Sequence, residues 1–133
     1  ASRHALDLAE RYGASVHALY VIDTETSWLT VSKTEVSDTL RDVGETEGSQ
    51  ALAEMESLAK EVGFDGEVVT ELREGAPTEE ILAYAEEAGM DLVVMGTHGR
   101  KGIERSLLGS VAERTVRGSS VPVMIVPDTT QDG

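Results

Sequence analysis

The chain has 133 residues, 40% of them apolar, enough for one core and one domain spanning 1–133. It has no cysteine, which excludes disulfides, thiolate metal sites and cysteine nucleophiles; His4, His17 and His98 are too few and too scattered for a zinc site. Twenty-five acids against eleven bases give a net charge of −14, a field that repels nucleic acid.

Ser2 to Arg11 reads as a helix with Ala5, Leu8 and Ala9 on one stripe, ended by Gly13. Val16 to Ile22 is an apolar, β-prone run, expected to be a strand buried on both faces. Asp23 to Val43 is polar and turn-rich and reads as a loop, with Trp28 as a small packing anchor. A helix follows over 45–62, where Leu52, Met55, Leu58, Ala59 and Val62 recur at helical spacing before Gly63.

Glu67 to Leu72 reads as a short strand. Pro77 opens the next helix at the position where a missing N–H costs nothing, and Glu79 and Glu80 suit its positive end. That helix runs to Ala88, with Gly89 as its cap. Asp91 to Met95 is another strand, Val111 to Arg117 a helix, and Val121 to Val126 the closing strand. Strict alternation predicts a doubly wound open parallel sheet with helices on both faces. Pro122 cannot donate to a ladder, which places the last strand at an edge.

Two further signals come from charge. The bases include only three lysines, Lys33, Lys60 and Lys101, and a lysine-poor, acid-rich surface predicts a salt-adapted, halophilic protein. Between Gly96 and Val126, Arg100, Lys101, Arg105, Arg114 and Arg117 outnumber Glu104 and Glu113 by three. A basic island in so acidic a chain marks a seat for an anion. No run approaches the roughly 20 apolar residues of a spanning helix and no signal peptide opens the chain, so the expectation is a cytoplasmic protein without a membrane partner.

The island contains the most informative stretch, Gly96-Thr-His-Gly99 followed, after nine intervening residues, by Gly109-Ser110. It joins a strand to a helix start, and open α/β sheets bind ligands at the carboxyl ends of strands. Gly96 and Gly99 let the backbone turn tightly, and the helix start offers N–H groups to phosphate. Arg100 and Lys101 add charge nearby. Ser110 with Glu113 also matches a capping box, in which the hydroxyl bonds the backbone. The spacing is neither a Walker loop nor a dinucleotide fingerprint.

It resembles the ATP-binding signature of the universal stress protein family, in register with Asp91-Leu-Val-Val-Met95 before it and Val121-Pro-Val-Met-Ile-Val-Pro127 after it. Ala18-Leu-Tyr-Val-Ile-Asp23 is similar to that family's second strand. The resemblance implies an adenine nucleotide α-hydrolase-like fold of five strands. It implies that Val21 lines the adenine pocket and that Met95 and Gly96 form the nucleoside side. It gives Gly99, Gly109, Ser110, Val111 and Ala112 contacts to phosphates and ribose. Arg100 and Lys101 stand outside the signature.

The implied ligand is ATP, or ADP or AMP, with Mg or Mn at the phosphates. The implied partner is a second copy through the C-terminal strand. The family includes slow hydrolysis and self-phosphorylation, with Ser110 or Thr97 as acceptors. No general base is visible, and His98 reads as a loop-fixing hydrogen-bond partner, so the expectation is a stress-response regulatory binder with no catalytic residue. The alternative is an adenine-nucleotide-using enzyme of the same fold group, such as an ATP pyrophosphatase or an adenylyl transferase. A receiver-like domain is rejected, because Arg73 follows Leu72 where an acceptor aspartate belongs and Pro127 follows Val126 where a lysine belongs.

Family members begin with a strand, whereas Ala1 to Asp7 already reads as helix. The expectation is that the family's first strand is absent here, leaving a gap between the strands at Val16–Ile22 and Asp91–Met95.

Overall fold

A computed structural model describes residues 1–24, 34–97 and 108–127, with backbone alone for 34–40. Along the chain run α1 (Ser2–Tyr12), β1 (Val16–Asp23), α2 (Thr34–Glu61), β2 (Val68–Gly75), α3 (Pro77–Glu87), β3 (Val93–Gly96), α4 (Ser110–Gly118) and β4 (Val123–Val126). Each expected helix and strand is present. The expected anchor Trp28 lies outside the described residues.

α1 ends where its sequence ends it. Gly13 takes φ 65°, ψ 35°, the left-handed cap that costs glycine nothing. Leu6 and Ala9 face inward and pack with Val16 of β1 and Met55 and Ala59 of α2; Ala18, Leu58, Phe64 and Val68 flank this core. Burying a leucine such as Leu6, 2% exposed, is worth about 2 kcal/mol.

α2 corrects the expected loop. It begins at Thr34, so residues 34–43 are helix. The two glycines that follow it in the same helix are seats for close approach. A Cβ on Gly44 would lie 2.6 Å from Ile22 Cγ2, and one on Gly48 would lie 2.6 Å from Leu72 Cδ1 and 2.7 Å from Tyr20 Cδ1. Four residues apart, they present one bare helical face to β1 and β2.

The strands run parallel in two pairs. β1 pairs with β2 from Val16 opposite Val68 to Asp23 opposite Gly75, and β3 pairs with β4 from Val93 opposite Val123 to Gly96 opposite Val126. Each pair is its own two-stranded sheet, where alternation alone led us to expect one continuous sheet. β1 is half-buried over most of its length instead of sealed on both faces.

α1 packs on α2, β1 and β3, and α2 packs on β1 and β2. α3 packs on β1, β2 and α4, while α4 packs on β4. The helices thus cover the sheets from two sides, the layering of an α/β fold. β4 has no strand on its outer edge among the described residues. None of the described helices is long and apolar enough to cross a membrane.

Candidate functional site

The described residues of the expected site stand toward the carboxyl ends of β1 and β3 and at the start of α4. Val21 stands near the carboxyl end of β1. Met95 and Gly96 form the carboxyl end of β3, opposite Ile125 and Val126. Gly109 is the N-cap of α4, and Ser110, Val111 and Ala112 are its first three residues. The Gly109 amide donates to the Thr97 carbonyl at 2.6 Å, which ties the helix start to the strand end. Gly99, Arg100, Lys101 and His98 lie outside the described residues.

The cap differs from the capping box that Ser110 and Glu113 suggest. Gly109 occupies the cap position and has no side chain to offer, and no side chain caps the helix. Ser110 is one residue inside the helix and exposed. Glu113 instead accepts from the Arg117 guanidinium at 3.1 Å, one turn on. Among the described residues, no side chain caps the N–H groups that open α4 at Ser110, Val111 and Ala112, where the dipole's positive end lies.

Gly109 is itself buried. Its φ of −64° and ψ of 157° are open to any residue, so backbone strain does not demand glycine there. Ala112, 2% exposed, anchors the inner face of the same turn.

A polar cluster beside Val21 has no single-motif signal in the sequence. Arg73 is Val21's partner across the β1–β2 ladder. Its guanidinium reaches Glu87 Oε1 at 2.6 Å, Glu71 Oε2 at 3.0 Å and Glu80 Oε1 at 3.6 Å. It also lies over the Tyr84 ring, 4.9 Å from the centroid. The Tyr84 hydroxyl meets His17 Nδ1 at 2.6 Å.

These contacts set the local electrostatics. The hydrogen bond from Arg73 holds the Glu87 carboxyl below its ordinary range, and the guanidinium's charge adds to that effect. The same pairing with Glu87 and Glu71 keeps Arg73 charged at any relevant pH. Burial, with the Glu71 charge, pushes the Tyr84 phenol up. The cluster spans residues on β1, β2 and α3, so no spacing along the chain announces it. Arg73 falls just past the strand expected over Glu67–Leu72, and only the longer β2 brings it into the ladder.

The described residues contain no group of three or more histidines, aspartates or glutamates placed to hold a metal ion. The residues present suit a phosphate-bearing ligand: α4 starts at a buried glycine, and among the described residues no side chain caps its first-turn amides.

Comparison with known proteins agrees with this arrangement. The model of the universal stress protein family matches residues 1–127. Universal stress protein MJ0531 of Methanocaldococcus jannaschii is 38% identical over 134 aligned positions, covering 95% of this chain and 72% of that protein. The solved structure of MJ0577, a universal stress protein of the same organism, superposes with a TM-score of 0.72 at 28% identity, covering 96% of this chain and 88% of the other. A universal stress protein solved in complex with cAMP has the same fold, with a TM-score of 0.65 at 23% identity over 97% of this chain and 86% of the other.

Proposed function

The chain belongs to the universal stress protein family, and from that premise we propose that it is a regulatory protein that binds ATP. The supporting observation is the start of α4, where the buried cap Gly109 is tied to Thr97 and, among the described residues, no side chain caps the helix amides. Phosphates would rest on the backbone N–H groups of Ser110, Val111 and Ala112, with Gly109 admitting them to van der Waals distance. The Ser110 hydroxyl is exposed and bonded to no cap, so it adds a donor to the same place. Val21 and Met95 would flank the adenine with apolar surface.

Gly96 and Gly99 would let the connecting loop approach the ribose. Arg100 and Lys101 stand as secondary contributors of positive charge. ADP or AMP shares the adenine and ribose contacts and forgoes part of the phosphate seat. A Mg or Mn ion accompanying the phosphates would balance their charge in a chain of net −14. That a protein of this fold is known in complex with cAMP supports an adenine nucleotide as the ligand class. The partner is a second copy joined at the outer edge of β4, and the compartment is the cytoplasm.

Isothermal calorimetry on nucleotide-stripped protein tests the reading. ATP should bind saturably, and mass spectrometry of the purified protein should find a retained adenine nucleotide. Heats for ATP indistinguishable from those for buffer would overturn it.

A further inference from the structure

Val21 and Ile22 are neighbours on β1 and stand on opposite faces of it. Ile22 turns toward α2 and is buried there, 5% exposed. The residue that covers it is Gly44. A Cβ on Gly44 would lie 2.6 Å from Ile22 Cγ2, 3.3 Å from its Cγ1 and 3.4 Å from its Cβ, so helix backbone and strand side chain meet with room for hydrogen alone. One turn on, Gly48 makes a second such contact with Tyr20 and Leu72. The two contacts differ in consequence. Leu72 Cδ1 is the far end of a flexible side chain and can turn aside. Ile22 Cγ2 is bonded directly to the Cβ of a β-branched residue, whose χ1 has little freedom. An atom added at position 44 is therefore felt by the backbone of residue 22.

The helix is held on both sides of this contact. One turn before Gly44, Arg41 Nε pairs with Glu74 Oε1 of β2 at 3.0 Å. After it come the Gly48 contact and then Met55 and Ala59, locked in the core with Leu6, Ala9 and Val16. The end of β1 is thus the part that yields. Moving residue 22 away from α2 carries Val21 toward the α3 side, because the two share a peptide unit. The neighbouring strand is fixed there: Arg73, Val21's ladder partner, is held by Glu71 at 3.0 Å and Glu87 at 2.6 Å and lies over the Tyr84 ring. A glycine inside a helix is less favourable than alanine, so the contact with Ile22 is what this position gains in exchange.

We infer that Gly44 is a positioning residue of the nucleotide site. By admitting Ile22 Cγ2 against the α2 backbone, it sets the depth at which the carboxyl end of β1 lies, and so the place of Val21 against the adenine. Gly44 touches no ligand itself. The inference rests on the nucleotide reading and extends it to a helix that carries none of the expected site residues.

The test titrates ATP into the nucleotide-stripped parent, Gly44→Ala, Ile22→Leu and the double variant. Leucine keeps the volume of isoleucine but carries a single carbon on its Cβ, so it removes the atom that an alanine at 44 would meet. Gly44→Ala should bind ATP about tenfold more weakly than the parent. A merely structural role predicts no such loss, since alanine is the better helix former. Ile22→Leu should stay within about threefold of the parent, and the double variant should bind as Ile22→Leu does. Hydrogen exchange over residues 20–23, measured without nucleotide, should quicken in Gly44→Ala and recover in the double variant. Parental affinity in Gly44→Ala would overturn the inference, and so would a double variant no tighter than Gly44→Ala. If Gly44→Ala does not fold alone, the double variant against Ile22→Leu decides: equal affinity supports the inference, and a tenfold loss overturns it. A parent that takes up no ATP would fail the nucleotide reading and this inference with it, whereas a binding parent with an unaffected Gly44→Ala fails the inference alone.

Discussion

The Gly109 amide donates to the Thr97 carbonyl at 2.6 Å, and this bond sets the start of α4 against the end of β3. Valine at 109 would keep the bond, since it is a backbone bond, and would keep the φ and ψ that glycine has there. Its two methyl groups would occupy the buried space in front of the helix amides. Gly109→Val should therefore lose ATP affinity by about 100-fold or more, with a melting temperature within several degrees of the parent. Calorimetry and thermal melts measure both quantities. Affinity retained at the parental level would make Gly109 a simple cap.

How much of this was legible before the structure depends on the distance over which each feature is encoded. α1 with Gly13 and α3 with Pro77 are written in local residues, and both stand where those residues put them. Gly44 and Gly48 carry no local signal of their role, because it is set by Ile22, Tyr20 and Leu72, which stand on other elements. The Ser110–Glu113 spacing fits a capping box, yet Gly109 takes the cap and Glu113 turns to Arg117. The division into two strand pairs is a tertiary fact that alternation cannot encode. The glycine and serine of the site were legible as a spacing, whereas Arg73 beside Val21 emerges only from the β1–β2 register.

Arg73 gives a pH prediction with a definite sign. Glu87 has its folded carboxyl held below the ordinary range, chiefly by the hydrogen bond from Arg73. A depressed carboxyl stabilises the fold above its unfolded pKa, and the contribution is lost as pH falls through the folded value. Glu87 is well exposed, so the effect is modest. Arg73→Gln should lower stability near neutrality and flatten part of the acid limb below the ordinary glutamate range. Denaturant midpoints taken across that limb measure it. Parallel profiles for parent and variant would show that the pair contributes nothing to acid sensitivity.

The outer edge of β4 leads to the dimer. Val123-Met-Ile-Val126 is apolar, carries no charge to blunt pairing, and has no outer neighbour among the described residues. The mass in solution should be twice the 14.2 kDa of the chain, falling toward one copy only on strong dilution. Light scattering across a dilution series measures this. A single-copy mass at every concentration would reject the edge as an interface.

Salt dependence follows from where the acids stand. Glu45, Glu47, Glu54, Glu56 and Glu61 are all exposed on α2, and Lys60 is the helix's lysine. Ion pairs exist, such as Arg11 with Asp7 at 3.2 Å and Arg41 with Glu74 at 3.0 Å, but eleven bases face twenty-five acids in a chain of net −14. Like charges on one helix repel at the i, i+4 distance and beyond it, and folding brings them closer than the open chain does. Potassium chloride screens that repulsion, since the Debye length shrinks from about 30 Å at 0.01 M to about 3 Å at 1 M. Surface pairs such as Arg11–Asp7 weaken over the same range, yet each is worth only about 0–1 kcal/mol. The repulsive terms outnumber them, so screening should raise the melting temperature from dilute to molar salt. Most of the rise should come below about 0.3 M, where the screening length falls below the spacing of neighbouring acids. Exclusion of salt from the surface, by contrast, would keep raising stability into the molar range. A flat profile would mean that the acids are too well hydrated to repel.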